Sequence, residues 1–134
     1  MFKCSTLVLL CCTVLFARSA EADTWISCKG DLNIWQNGRI IERRGAINEI
    51  YVIKEKDFYA YDEDSRRLSL IGGSVTDKRI RWGECGADPM CGSIDRLDGT
   101  WALNFYSPDN TIPGVLGNCR KSKALPVDNS DKKF

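Results

Sequence analysis

Apolar side chains recur at every second position in several short stretches of the chain. In "TWALNFY", Trp101, Leu103 and Phe105 fall on one side and Thr100, Ala102 and Asn104 on the other. In "DKRIRWGEC", Ile80 and Trp82 alternate with Arg79 and Arg81, and "LSLI" sets Leu68 beside Leu70. "DFYAYD" opposes Phe58 and Ala60 to Tyr59 and Tyr61, while "INEIYVIK" is apolar more uniformly, as in a strand covered on both faces. Period two is the signature of a half-buried strand, and after residue 22 no stretch keeps helical spacing for three turns. Turn signals separate these runs: "QNGR", "KEKD", "DEDSRR", "GGSVTDK", "GADPM", "RLDGT" and "SPDNTIPG". Seven or eight short strands so punctuated predict a small antiparallel all-β meander, because consecutive antiparallel strands need only tight connections. The pattern leaves open whether the sheet curls into a barrel or stacks as a sandwich. Arg43–Arg44 and "KEK" are expected on exposed or edge stretches, where charge discourages pairing with other chains.

Two segments 33 residues apart echo one another: "YDEDSRRLSL" and "IDRLDGTWAL". Each reads as strand, aspartate, short turn, alternating strand. Asp62 and Asp95 suit the start of a turn, where a carboxylate accepts hydrogen bonds from amides further along. Gly99 permits the left-handed backbone that closes such a turn, whereas the equivalent residue in the first copy is Arg66, which predicts two different geometries. A calcium loop needs alternating oxygen ligands and a distant glutamate, so both segments are read as hairpin turns.

Cysteines and the amino terminus place the chain in a compartment. Lys3 precedes an apolar stretch over 4–17, and Ala20-Glu21-Ala22 has the small residues of a cleavage site, so residues 1–22 are expected to be a signal peptide. That stretch is too short to span a bilayer, and no later one predicts a membrane span. Cleavage removes three of the seven cysteines and leaves Cys28, Cys85, Cys91 and Cys119. An even number in a small exported chain reads as two disulfides. Of the three possible pairings, Cys85–Cys91 with Cys28–Cys119 is favoured: a short loop containing Pro89, and a closure of nearly the whole domain. In the chain-entropy view the long closure contributes about 4.6 kcal/mol and the short one about 2.4 kcal/mol. A zinc site is disfavoured by the spacing and by the absence of histidine. The domain is expected over 23–119, a monomer, followed by a polar tail at 120–134 with a mobile end.

Charge and chemistry narrow the function. Loss of Lys3, Arg18 and Glu21 from 19 basic and 18 acidic residues leaves a neutral chain, which lacks the positive excess that draws a protein to nucleic acid. Without histidine, with its cysteines paired, and with its carboxylate clusters in turns, the chain offers no nucleophile–base pair. Ser122 and Lys123 are adjacent but sit in the polar tail. No phosphate-binding or dinucleotide motif is present. Neither catalytic, cofactor nor metal residues are therefore assigned. Of the thirteen aromatics in the full sequence, eleven follow residue 22, most at core-type positions. Trp35, placed by "NIWQNGR" at a turn, and Tyr59 with Tyr61, which share a face, are the candidate binding surface.

"DTWISCKG", "RIRWGEC", "SIDRLDGTWAL" and "GNCRK" together resemble a pattern of small exported bacterial proteins of unknown function, W-x-x-C-x-G … I-D-R-x-x-G … G-x-C. The resemblance spans most of residues 24–121. It implies a periplasmic or secreted all-β protein and brings no activity or catalytic residue. The expected role is a non-enzymatic binding or inhibitor module whose partner is an envelope protein or polysaccharide. A structural accessory protein is the alternative, and a carboxylate hydrolase comes third.

Overall fold

A computed structural model describes residues 22–129; the expected signal peptide, apart from Ala22, and residues 130–134 lie outside that range. Nine strands form one antiparallel sheet: β1 (Thr24–Gln36), β2 (Arg39–Lys54), β3 (Asp57–Asp62), β4 (Arg67–Leu70), β5 (Ser74–Val75), β6 (Arg79–Trp82), β7 (Met90–Asp95), β8 (Thr100–Phe105) and β9 (Thr111–Lys121). There is no helix among the described residues, and so none long and apolar enough to cross a membrane.

The spatial order β4-β3-β2-β1-β9-β8-β7-β6-β5 is a meander with one non-sequential pairing, β1 against β9. That pairing joins the two ends of the chain, and the sheet's free edges fall at β4 and β5, which are neighbours in sequence. The sheet curls into a half-barrel. Phe58 of β3 and Trp82 of β6 lie near opposite ends of the strand order, yet their ring centroids are 4.9 Å apart. Tyr51 stacks on Phe58 at 4.9 Å and meets Trp82 at 5.4 Å and Trp101 at 6.2 Å. Burial of these large rings supplies both hydrophobic driving force and preferred tilted geometries, and it holds the curl. Ile26, Ile53, Ile80, Ile94, Leu103 and Val115 complete the inner core.

Alternation sends the intervening residues outward. β2 shows the consequence most clearly: Tyr51 and Ile53 enter the inner core, while Val52, fully buried, joins Trp25 and Tyr61 in a second cluster on the outer face. The uniformly apolar "IYVI" is thus covered on both sides, as its composition predicts. Past two bulges opposite Leu32–Asn33 and Ile34–Trp35, the first part of β2 pairs with β1 alone. Arg43 and Arg44 stand exposed on this free edge, as expected of charged residues there.

Both disulfides form as favoured. Cys28 and Cys119 face one another across the β1–β9 pair, and Cys85–Cys91 closes the β6–β7 connection. The first is separated by 91 residues and buried in the inner core, so it cross-links the pairing that joins the chain's ends. Two disulfides are the mark of an oxidising, extracytoplasmic-type environment.

The Asp62 and Asp95 turns correct one expectation. Asp62 Oδ1 accepts from the amides of Asp64 (2.8 Å) and Ser65 (3.1 Å), and Asp95 Oδ1 accepts from Leu97 (2.8 Å) and Asp98 (3.3 Å). Arg66 has φ 57° and Gly99 φ 80°, so the two turns share one geometry despite their different closing residues. Arg66 adopts the left-handed region that a side chain disfavours, held there by the flanking β3–β4 ladder.

Residues 122–129, read from their polarity as part of a tail, lie against the sheet. The Ser122 amide donates to Trp25 O (2.9 Å) and the Asp128 amide to Arg66 O (2.7 Å). The Tyr61 hydroxyl donates to Pro126 O (2.7 Å), and Val127 packs on the Trp25–Val52–Tyr61 cluster. The segment is a strap across the outer face, and β9 itself ends at Lys121, two residues beyond the expected boundary.

Candidate functional site

The strap decides the fate of one candidate surface. Tyr59 and Tyr61 do share the outer face, but Tyr61 is 7% exposed, edge-on to Trp25 at 5.1 Å, and its hydroxyl is spent on the strap. Tyr59 is half-buried against the same cluster. These rings seal the fold rather than present a surface.

Trp35 stands differently. It is the penultimate residue of β1, not part of the Asn37-Gly38 turn beyond it, and it is half-buried on the outer face. Its register partner on β9 is Ile112, and the next outward positions on β9 are Gly114 and Leu116. Gly114 pairs with Asn104 of β8. A Cβ at Gly114 would lie 3.1 Å from Asn104 Oδ1 and 3.8 Å from Trp35 Cδ1, so the glycine lets both side chains close over the β9 backbone. Ile112 and Leu116 are 53% and 51% exposed, an apolar floor open to solvent.

From this floor a groove of about 750 Å³ continues towards β7, meeting a smaller space of about 340 Å³ that contains Trp35. Asn37, Gly38, Asn104 and Ile112 border both. One wall is the Cys85–Cys91 loop; the other is the β8–β9 loop carrying Tyr106, which is 64% exposed. The two walls are tied together, since the Tyr106 amide donates to Pro89 O at 2.8 Å. Each is also braced from within. Asp88 Oδ2 accepts from the Glu84 amide at 2.7 Å beside the disulfide. Asp109 Oδ1 accepts from Ser107 Oγ (2.6 Å), from the Thr111 amide (3.0 Å) and from the Thr111 hydroxyl. These bonds, the Ser107 hydroxyl first and then Thr111, hold the Asp109 carboxyl below its ordinary pKa and therefore ionised at neutral pH. Neither lysine nor arginine lines the groove.

A second hollow of about 620 Å³ is bordered by Glu49, Asp62, Glu63 and Asp64. Burial, and then the nearby Glu63 charge, raise the Glu49 pKa; burial and Glu49 push the Tyr51 phenol upward. Asp62 is already bound to its own turn amides. No group of three or more Cys, Asp or Glu side chains among the described residues is placed to hold a metal ion.

Of the three sequence-derived candidates the structure thus leaves one, Trp35, in a solvent-reaching groove. Sequence reasoning did not find Tyr106, Asn104, Ile112 or Leu116. "FYSPDN" and "TIPGVLG" held the only signal, two outward apolar residues beside a turn, and their juxtaposition with Trp35 depends on the β1–β9 pairing. No protein-family model matches the chain, and no curated protein matches it.

Proposed function

We propose that the protein is an exported, non-enzymatic binding module and that the Trp35–Tyr106 groove is its ligand site. One observation carries the reading: an aromatic and apolar floor left open to solvent between two cross-braced loops, on a fold that covers its other outer aromatic cluster with its own chain. Ligand sites are concave, largely preformed, and combine apolar walls with a few convergent polar groups. Bracing of the loops lowers the ordering cost of binding. Two disulfides and the expected signal peptide support action outside the cytoplasm in the bacterial envelope, where an envelope protein or polysaccharide is the partner. The test is co-sedimentation of the purified, oxidised protein with isolated bacterial cell envelopes. Wild type is expected to sediment, and Trp35→Ala and Tyr106→Ala to stay in the supernatant. Equal sedimentation of all three, or of none, would overturn the proposal.

A further inference from the structure

Resting on that binding reading, the lining chemistry specifies an occupant. Asn37, Asn104 and Asn110 are exposed on the groove, and among the described residues none of their side-chain amides has a hydrogen-bond partner. Each amide both donates and accepts, the capacity that matches hydroxyl groups, which also do both. Around them lie Trp35 and Tyr106, flat rings suited to the apolar C–H face of a sugar. The absence of lysine and arginine from the lining, together with the ionised Asp109, selects against an anionic polymer. An extended peptide commonly binds by adding a strand to a free sheet edge. Here β1 and β9 run beneath the groove already paired on both sides, and the free edge of β2 lies one strand away and carries the charged Arg43 and Arg44. The two contiguous spaces suit a chain of rings rather than one small molecule.

We infer that the groove binds an uncharged oligosaccharide, with one ring stacked on Trp35, a second on Tyr106, and hydroxyl groups bonded to Asn37 and Asn104. The test is titration of the ¹⁵N-labelled protein with cellohexaose and with chitohexaose, followed through the Asn side-chain amides and the Trp35 indole N–H. At least one neutral hexasaccharide is expected to shift the Asn37, Asn104 and Trp35 signals. Trp35→Ala and Tyr106→Ala, the latter on an exposed loop and safe for folding, are each expected to weaken binding about tenfold. An oligogalacturonate of equal length and a panel of extended peptides are the comparators. Shifts of the groove signals by peptides but by no saccharide would overturn the sugar assignment and leave the groove standing. Preference for the oligogalacturonate would overturn the uncharged class. Silence from every probe, or saccharide shifts confined to residues outside the groove, would overturn the inference, and silence would also count against the binding reading itself.

Discussion

Trp25 and Trp35 stand on the same face of the same strand, ten positions apart, and have opposite circumstances. Trp25 is 6% exposed, pressed edge-on against Tyr61 and roofed by Val127 of the strap. Trp35 has no such roof among the described residues; its neighbours Ile112 and Leu116 are more than half exposed. Both ends of that face carry large apolar side chains, Val52 and Tyr61 beside Trp25, Ile112 and Leu116 beside Trp35, so hydrophobicity alone does not separate them. What separates them is where the chain's last residues run. After Lys121 the chain turns across β1 to β4 and seals that end, leaving the other end of β1 as a groove between two stiffened loops. Among the described residues, the strap covers the cluster of one tryptophan and leaves the apolar neighbours of the other open to solvent.

The sharpest way to break this comparison is to truncate each tryptophan. Trp25→Ala is expected to cost about 3–5 kcal/mol in urea unfolding, the range for emptying a large buried site, and Trp35→Ala about 1 kcal/mol. Equal losses would mean that the two ends of β1 are alike. A stop codon after Lys121 comes next. It removes Val127 and the hydrogen bonds made by Ser122, Pro126 and Asp128, and is expected to lower stability by about 2–3 kcal/mol and to shift tryptophan emission to the red as Trp25 meets water. Unchanged emission would contradict the roofing role. Smaller still is Tyr61→Phe, which deletes only the bond to Pro126 O, for an expected loss of about 1 kcal/mol with oligosaccharide binding intact.

The smallest effect concerns pH. The Asp109 pKa is depressed by its bonds to Ser107 and Thr111, so its contribution to the β8–β9 loop is complete above the ordinary carboxylate value of 3.8 and is lost as pH falls through the lower, folded-state value. The Thr111 amide resonance is expected to titrate with a midpoint below 3.8, and Asp109→Asn to abolish that step. A midpoint above 3.8 would mean that the loop is not braced as described.

Much of the frame was legible in the residues. Alternation in "TWALNFY" and "RIRW" assigned Trp101, Leu103, Ile80 and Trp82 to the core, and the Asn37-Gly38 pair marked the first hairpin with positive φ at both residues. Side-chain period and turn chemistry are local properties, so they can be read locally. The fate of Tyr61 could not be: that it faces outward follows from alternation, but its cover comes from Pro126, 65 positions away. The matched turns at Asp62 and Asp95 teach the converse. Arg66 suggested a different geometry, yet pairing of the flanking strands imposed the same one.

By itself the sequence determined the all-β class, the alternation that sends residues such as Trp101 and Ile80 inward, and an even set of four cysteines, while the choice among their three pairings fell to the structure. Tertiary structure alone decided which outward-facing aromatics are sealed and which are open. That outcome depends on the β1–β9 pairing and on the course of the strap, both contacts between distant parts of the chain. Their free energy comes from surfaces that exist only once the sheet has curled.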